Sequence, residues 1–315
     1  MIREATLPPA KPASSPGLWR RFWGRSNEKA GYLFILPSFI HLLVFLLIPV
    51  LFSFFLSFRD WKKPQFQDAP YIGLDNYNFL MSDKRFWQAM GNSAYYTALS
   101  VPLGMAISLG IAVVLNQKLK GVYLFRTLFF MPVISSWVAV AIIWATLLDP
   151  NAGLVNYLLS LVGLPKVNWL GDVHSAMPSI ALISIWKSAG FNMVIWLAGL
   201  QGIPQELYEA ASIDGATRWQ SFWRITLPLL APTSFFLAIT GVIGSFQVFS
   251  PVYVLTKGGP QDSTNVAVYH IFRRAFQEFD FGYASAQSWV LFAVIFAVTL
   301  AQVWYMRRRG EETMF

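Results

Sequence analysis

The sequence predicts an all-α polytopic membrane protein: six transmembrane helices, both termini on the inner side, and a helical loop on that side between helices four and five. Three observations predict it. Of the 315 residues, 55% are hydrophobic and 13% charged, about half the roughly 25% of an average globular domain. So few charges could not cover the outside of a water-soluble fold. Uncharged stretches also recur that are long enough, at about twenty residues each, to cross a hydrocarbon core of about 30 Å. Finally, Lys and Arg are distributed asymmetrically, which gives the orientation. With the N-terminus inside, the inner segments 1–30, 116–126, 201–227 and 307–315 hold 14 Lys/Arg against 7 acidic residues, while the outer loops 59–88, 149–176 and 255–283 hold 9 against 9.

Residues 1–30 are rich in Pro, Ser and Arg and lack the apolar core and cleavage site of a signal peptide. They read as a disordered basic tail with a Trp-bearing juxtamembrane segment around Trp19 to Arg25. The membrane domain follows over 31–315. Its apolar segments fall near 31–58, 89–115, 122–148, 177–200, 228–254 and 284–306, each long enough to span with some tilt. Pro37, Pro49, Pro102 and Pro132 lie within them, tolerated because neighbouring helices re-satisfy freed carbonyls; Pro49 and Pro132 are expected to kink their helices. His41 reads as a packing histidine, and Arg126 can snorkel to the inner headgroups.

Several function classes lack their signatures. The chain has no cysteine, which excludes disulfides and thiolate chemistry. None of its 16 acidic residues falls in the six segments, whereas ion-coupled carriers and pumps usually place carboxylates at membrane depth. That disfavours the alternative of an ion-coupled secondary carrier or channel for a small polar solute. No P-loop pattern occurs, and neither HExxH nor GxSxG is present. A membrane-bound enzyme is therefore disfavoured, and energy for any transport would come from another subunit on the inner side.

The inner loop 201–232 suits such a contact. "IPQELYEAASIDG" reads as a short helix, with Pro204 in its first turn, Glu206 at the positive dipole end and Gly215 as a left-handed stop. Leu207, Ala210, Ala211 and Asp214 share one flat face, and Glu206 and Glu209 lie off it, suited to a basic partner. A second helix, about Thr217 to Arg224, brings Trp219, Phe222 and Trp223 together as anchors beneath the interface. From physics alone, a docking helix and an amphipathic linker on the headgroups are equally weighted, although acidic residues fit an anionic leaflet poorly.

The run Glu209-Ala210-Ala211, Asp214-Gly215-Ala216, Phe222, Ile225, Leu227-Pro228 and Pro232 resembles the signature loop of binding-protein-dependent ABC importer permeases. Further segments, "FRTLFFMPVISS" (125–136), "GLVN" (153–156), "WL" (169–170), "FNMVIWLAGLQGIP" (191–204), "YVLTKGGP" (253–260) and "YASAQSWVLF" (283–292), resemble the carbohydrate-uptake branch, with maltose- and glycerol-phosphate-type permeases. The core of the resemblance is about 88–306. It implies that Glu206, Leu207, Glu209, Ala210, Ala211, Asp214, Gly215, Ala216 and Phe222 form a coupling loop. The implied partners are cytoplasmic ABC ATPase subunits that bind ATP and Mg²⁺, a second related permease subunit and an extracytoplasmic solute-binding protein. This chain itself would bind no cofactor or metal and catalyse no reaction.

For a solute path, sugars need aromatic faces and neutral polar groups. Phe246, Gln247, Phe249, Ser250 and Tyr253 in span five offer both, with Gly241 and Gly244 allowing close helix packing; for each, packing is the equal alternative. Lys187 is the charge deep in span four. There a lysine costs roughly 2.5–3.5 kcal/mol, so it faces a cavity or partner, contacts solute, or steadies the bundle. Asn192 is a second polar candidate. The loop 255–283 is expected to hold a helix over about Val266 to Phe276, facing a binding protein or lying on the membrane surface.

Overall fold

In the computed structural model the chain divides into two compact units, residues 1–55 and 56–315. The structure describes residues 27–62, 69–117 and 120–308, with side chains from residue 31 onward. The basic tail, including Trp19 to Arg25, lies outside the described residues except for its last turn.

In the first unit, α1 (Asn27–Leu42) passes through a π-helical turn at Leu43–Leu47 into α2 (Ile48–Leu56). Pro49 explains the wide turn: its ring would collide with the carbonyl four residues back, and an i→i+5 turn moves that carbonyl aside. Pro228 has the same relation to a π turn at Phe222–Thr226.

The second unit opens with an isolated antiparallel bridge between Arg59 and Tyr71 and the short α3 (Asp75–Ser82). Helix α4 (Lys84–Leu115) is capped by Asp83, whose carboxylate accepts from the N–H groups of Arg85 and Phe86. Next come α5 (Val122–Ile134), α6 (Trp137–Leu147), α7 (Leu154–Leu161) and α8 (Ala176–Gln201). The inner loop supplies α9 (Gln205–Ile213), α10 (Arg218–Ser221) and α11 (Leu227–Leu229). The chain ends with α12 (Ala231–Phe246), α13 (Ser250–Leu255), α14 (Ala267–Phe272) and α15 (Phe281–Arg308).

Among the described residues, five helical stretches are long and apolar enough to cross a membrane, and the α5–α6 pair makes a sixth if counted as one span. The kink expected at Pro132 is a sharp break: α5 and α6 meet at a bend of 100°. Pro132 starts the break by withholding the N–H that Leu128 needs, and Ser135 and Ser136 are extended, at ψ 145° and 138°. Span five also breaks, at Gln247–Phe249, because Pro251 has no N–H to give the carbonyl of Gln247.

Helix α8 is the hub. Its candidate span is 61% buried, against 6% for α15. It packs on α4, α5, α12 and α13. Trp196, 2% exposed, donates its indole N–H to the Ser108 hydroxyl at 3.1 Å. Two glycines allow close approach: a Cβ on Gly190 would lie 2.1 Å from the Phe129 carbonyl oxygen, where backbone meets backbone, and one on Gly199 2.5 Å from the Thr233 side-chain Oγ1. Gly241 packs against Val101, but nothing lies within 4 Å of a Cβ on Gly244. Of the two glycines expected to allow close packing, Gly244 faces open space instead.

Candidate functional site

Two features stand out: a helical elbow on the loop between α8 and α12, and a cavity of mixed polarity among α4, α8 and α12. The elbow begins at Pro204, which is the N-cap (ψ 131°) rather than a first-turn residue. Helix α9 ends in a Schellman motif. The Gly215 N–H donates to Ser212 O at 3.2 Å, the Ala216 N–H donates to Ala211 O at 2.9 Å, and Gly215 has φ +74°. Two residues later a capping box opens α10: the Gln220 N–H donates to Thr217 Oγ1, and the Thr217 N–H donates to Gln220 Oε1 at 2.8 Å. The facing ends of the two short helices are thus both closed by hydrogen bonds from their own loop.

The elbow is tied to the bundle on one side only. Tyr208 and Thr226 share a hydroxyl–hydroxyl hydrogen bond of 2.9 Å, and Ala211 is half-buried. Glu206, Leu207, Glu209, Ala210, Asp214 and Gly215 are exposed, while Ala216 and Phe222 are half-buried. Glu209 accepts an exposed hydrogen bond from Gln205 Nε2 at 3.0 Å. The sequence reading missed Ile213, which is 88% exposed and follows Glu206 and Glu209 at helical spacing. An isoleucine at the last turn of an acidic helix was the available signal. At the elbow's foot, Trp219, Phe222 and Trp223 form a cluster of rings 5.5–6.0 Å apart.

The cavity, of about 440 Å³, falls in the range of about 300–1,000 Å³ usual for small-molecule sites. Asn192, Gln247, Phe249 and Ser250 line it, as do Tyr96, Ser100, Trp137, Ser184, Ser188 and Thr240. Among the described residues, no charged one contributes to its wall. Gln247 is exposed and continues the face of α12 that carries Thr240 and Gly244, which also line the cavity.

Three residues expected on this path stand elsewhere. Phe246 is 6% exposed and packs with Leu80, Phe86 and Tyr283. Tyr253 stacks on Phe249 at 5.2 Å and meets Phe272 edge-on, away from the cavity wall. Lys187 is 7% exposed, and its ammonium donates to Pro132 O (2.9 Å), Val133 O (3.2 Å) and Ser135 O (2.9 Å). All three protons find acceptors. Hydrogen bonds to charged groups return about 1.5–3 kcal/mol each, so two of them offset an insertion cost of roughly 2.5–3.5 kcal/mol.

On the outer side, α14 with a π turn at Arg273–Gln277 matches the helix expected over Val266 to Phe276. It is packed into the protein rather than laid on a surface: Ala267, Tyr269 and His270 are buried. Asn92 donates to the carbonyls of Asp262 and Asn265, which ties the preceding loop to α4. The Asp83 carboxylate accepts from the Tyr283 hydroxyl at 2.6 Å and pairs with Arg274 at 3.8 Å. Burial alone would raise the Asp83 carboxyl, but hydrogen bonds from Tyr283, Phe86 and Arg85 outweigh it and hold the pKa below its ordinary value.

Broken apolar spans surround a cavity with no charged residue on its wall among the described residues, and a helical elbow joins spans four and five. Residues 100–308 match the family described as the binding-protein-dependent transport system inner membrane component, and the chain belongs to that family. It is 41% identical over 281 residues to a probable ABC transporter permease of Bacillus subtilis, YesP, covering 88% of this chain and 90% of the relative. It is 37% identical over 289 residues to the trehalose/maltose transport system permease MalF of Thermococcus litoralis, covering 90% and 96%. Among solved structures, a chain of a bacterial alginate ABC transporter, in complex with its alginate pentasaccharide-bound periplasmic protein, superposes with a TM-score of 0.80. The identity is 29%, over 93% of this chain and 99% of that one.

Proposed function

We propose that this chain is one of two membrane-spanning subunits of an ATP-driven importer for a neutral sugar, resident in the cytoplasmic membrane of a bacterium or archaeon. An extracytoplasmic binding protein delivers the sugar, and separate ATPase subunits bind ATP and Mg²⁺; this chain holds no cofactor and performs no hydrolysis. The sugar class is supported by the trehalose/maltose system of one relative and the alginate complex of a structural neighbour. The uncharged cavity carries the choice of a neutral solute. A phosphate ester would require a cationic partner, and the nearby ammonium of Lys187 is already saturated by backbone carbonyls.

Alternating access supplies the mechanism. ATP binding closes the motor subunits, the elbow carries that motion into α8 and α12, and the cavity changes the side to which it opens. The roles of Glu206, Leu207, Glu209, Ala210, Ala211, Asp214, Gly215, Ala216 and Phe222 in coupling, and of Asn192, Gln247, Phe249 and Ser250 in the path, belong to this reading.

Two substitutions test it in the assembled complex. Gln247→Leu is expected to weaken sugar uptake while assembly and basal ATPase activity persist; undiminished uptake removes Gln247 from the path. Glu209→Lys is expected to abolish solute-stimulated ATPase activity, and unchanged stimulation removes the acidic face of α9 from the contact.

A further inference from the structure

The bend between α5 and α6 interrupts the helical ladder, leaving its last carbonyls short of helical donors, although Pro132 O accepts from the Ser135 N–H at 3.3 Å. In ion-coupled carriers, carbonyls of this kind at broken helices hold a sodium ion. Here the Lys187 ammonium fills the place, bonded to Pro132 O, Val133 O and Ser135 O. One turn further along α8, Gly190 admits the Phe129 backbone so closely that no side chain would fit. The same ammonium lies 5.2 Å from the centre of the Trp137 ring, and Trp137 opens α6 and lines the cavity.

We infer that Lys187 is a positioning residue: a tethered cation that fixes the α5–α6 bend and so sets Trp137 against the cavity. It touches no solute. It acts through the carbonyls of the third span and the face of one tryptophan, with Gly190 setting the helix separation. Its effect on uptake rests on the reading of the cavity as the solute path, whereas its effect on the bend does not.

The chain is free of cysteine, so single cysteines report local geometry cleanly. In the complete complex in proteoliposomes, a charged maleimide is reacted with Ser136→Cys at the bend or with Thr240→Cys on the opposite cavity wall. Adding Lys187→Met is expected to change the labelling rate at position 136 by about fivefold or more, and at position 240 by less than about twofold, as befits loss of a local buried ionic hydrogen-bond set. Equal labelling with and without Lys187→Met at both positions overturns the proposal.

Lys187→Ala prepared with ethylammonium provides the control for a variant that does not assemble. The added cation is expected to restore assembly and the wild-type labelling pattern, and failure to restore either contradicts a cation-holding site. In the uptake arm, Lys187→Met and Trp137→Ala each raise the half-saturating sugar concentration. The double variant is no worse than the poorer single, since both act through one element. Independent, multiplying effects overturn the link to Trp137. If Trp137→Ala leaves uptake unchanged while the labelling arm holds, the solute-path reading fails and the fixed bend stands.

Discussion

His270 is 5% exposed, its Nδ1 3.4 Å from the Asn265 side-chain amide, and its ring meets Phe86 at 6.3 Å. Burial pushes its pKa below the ordinary histidine value, with Arg274 and Arg273 acting in the same direction and Asp83 and Glu278 against it. The folded state therefore binds its proton less readily than the unfolded chain. The stability this contributes is complete above the unfolded pKa of about 6.5 and declines as pH falls below it. The thermal midpoint of the detergent-solubilised protein should drop between pH 7 and pH 5, and His270→Gln should flatten that dependence. A second residue-scale expectation concerns Phe246, which is packed in the core rather than on the path. Phe246→Ala should cost about 3–5 kcal/mol of stability, read as a lowered midpoint, whereas Gln247→Leu one residue on should leave the midpoint nearly unchanged. Much at this scale was not readable from spacing alone. Phe246, Gln247 and Phe249 sit within one helical turn in sequence, yet Phe246 lies in the core while Gln247 and Phe249 line the cavity. The partners of Lys187 are 52 to 55 residues away, a separation across which no local pattern operates.

The α9–α10 elbow was the most legible element, because everything that shapes it is local. Gly215 terminates α9 as expected, and the Thr217–Gln220 capping box is visible in the sequence. Its closed helix ends give a graded prediction. Gly215→Ala places a Cβ at φ +74° and should cost about 1 kcal/mol, and the β-branched Gly215→Val more, up to about 2 kcal/mol. Solute-stimulated ATPase activity should fall in that order while basal ATPase activity changes little; equal stimulation in all three proteins would show that the elbow need not be stiff. The break in span three was harder to see. The segment 122–148 reads as one apolar run, and Pro132 signals a kink without its size. The 100° turn depends on Ser135 and Ser136 leaving the helix and on a lysine from α8 receiving the exposed carbonyls.

Across the whole molecule, the apolar spans could be read from hydropathy because the bilayer sets their length in any chain that crosses it. The cavity could not, since it arises where α4, α8 and α12 meet, and only their packing decides which hydroxyls and rings face inward. The elbow joins α8 to α12, two of the helices that wall the cavity. Sodium has no vacant place at the α5–α6 bend, because Lys187 occupies the carbonyl cluster there. The most direct measurement is uptake of a radiolabelled neutral sugar by proteoliposomes containing the complete complex, with binding protein outside. Uptake is expected to require ATP on the ATPase side and to be unaffected by replacing sodium with potassium or collapsing a proton gradient. Uptake driven by an ion gradient without ATP would contradict the account.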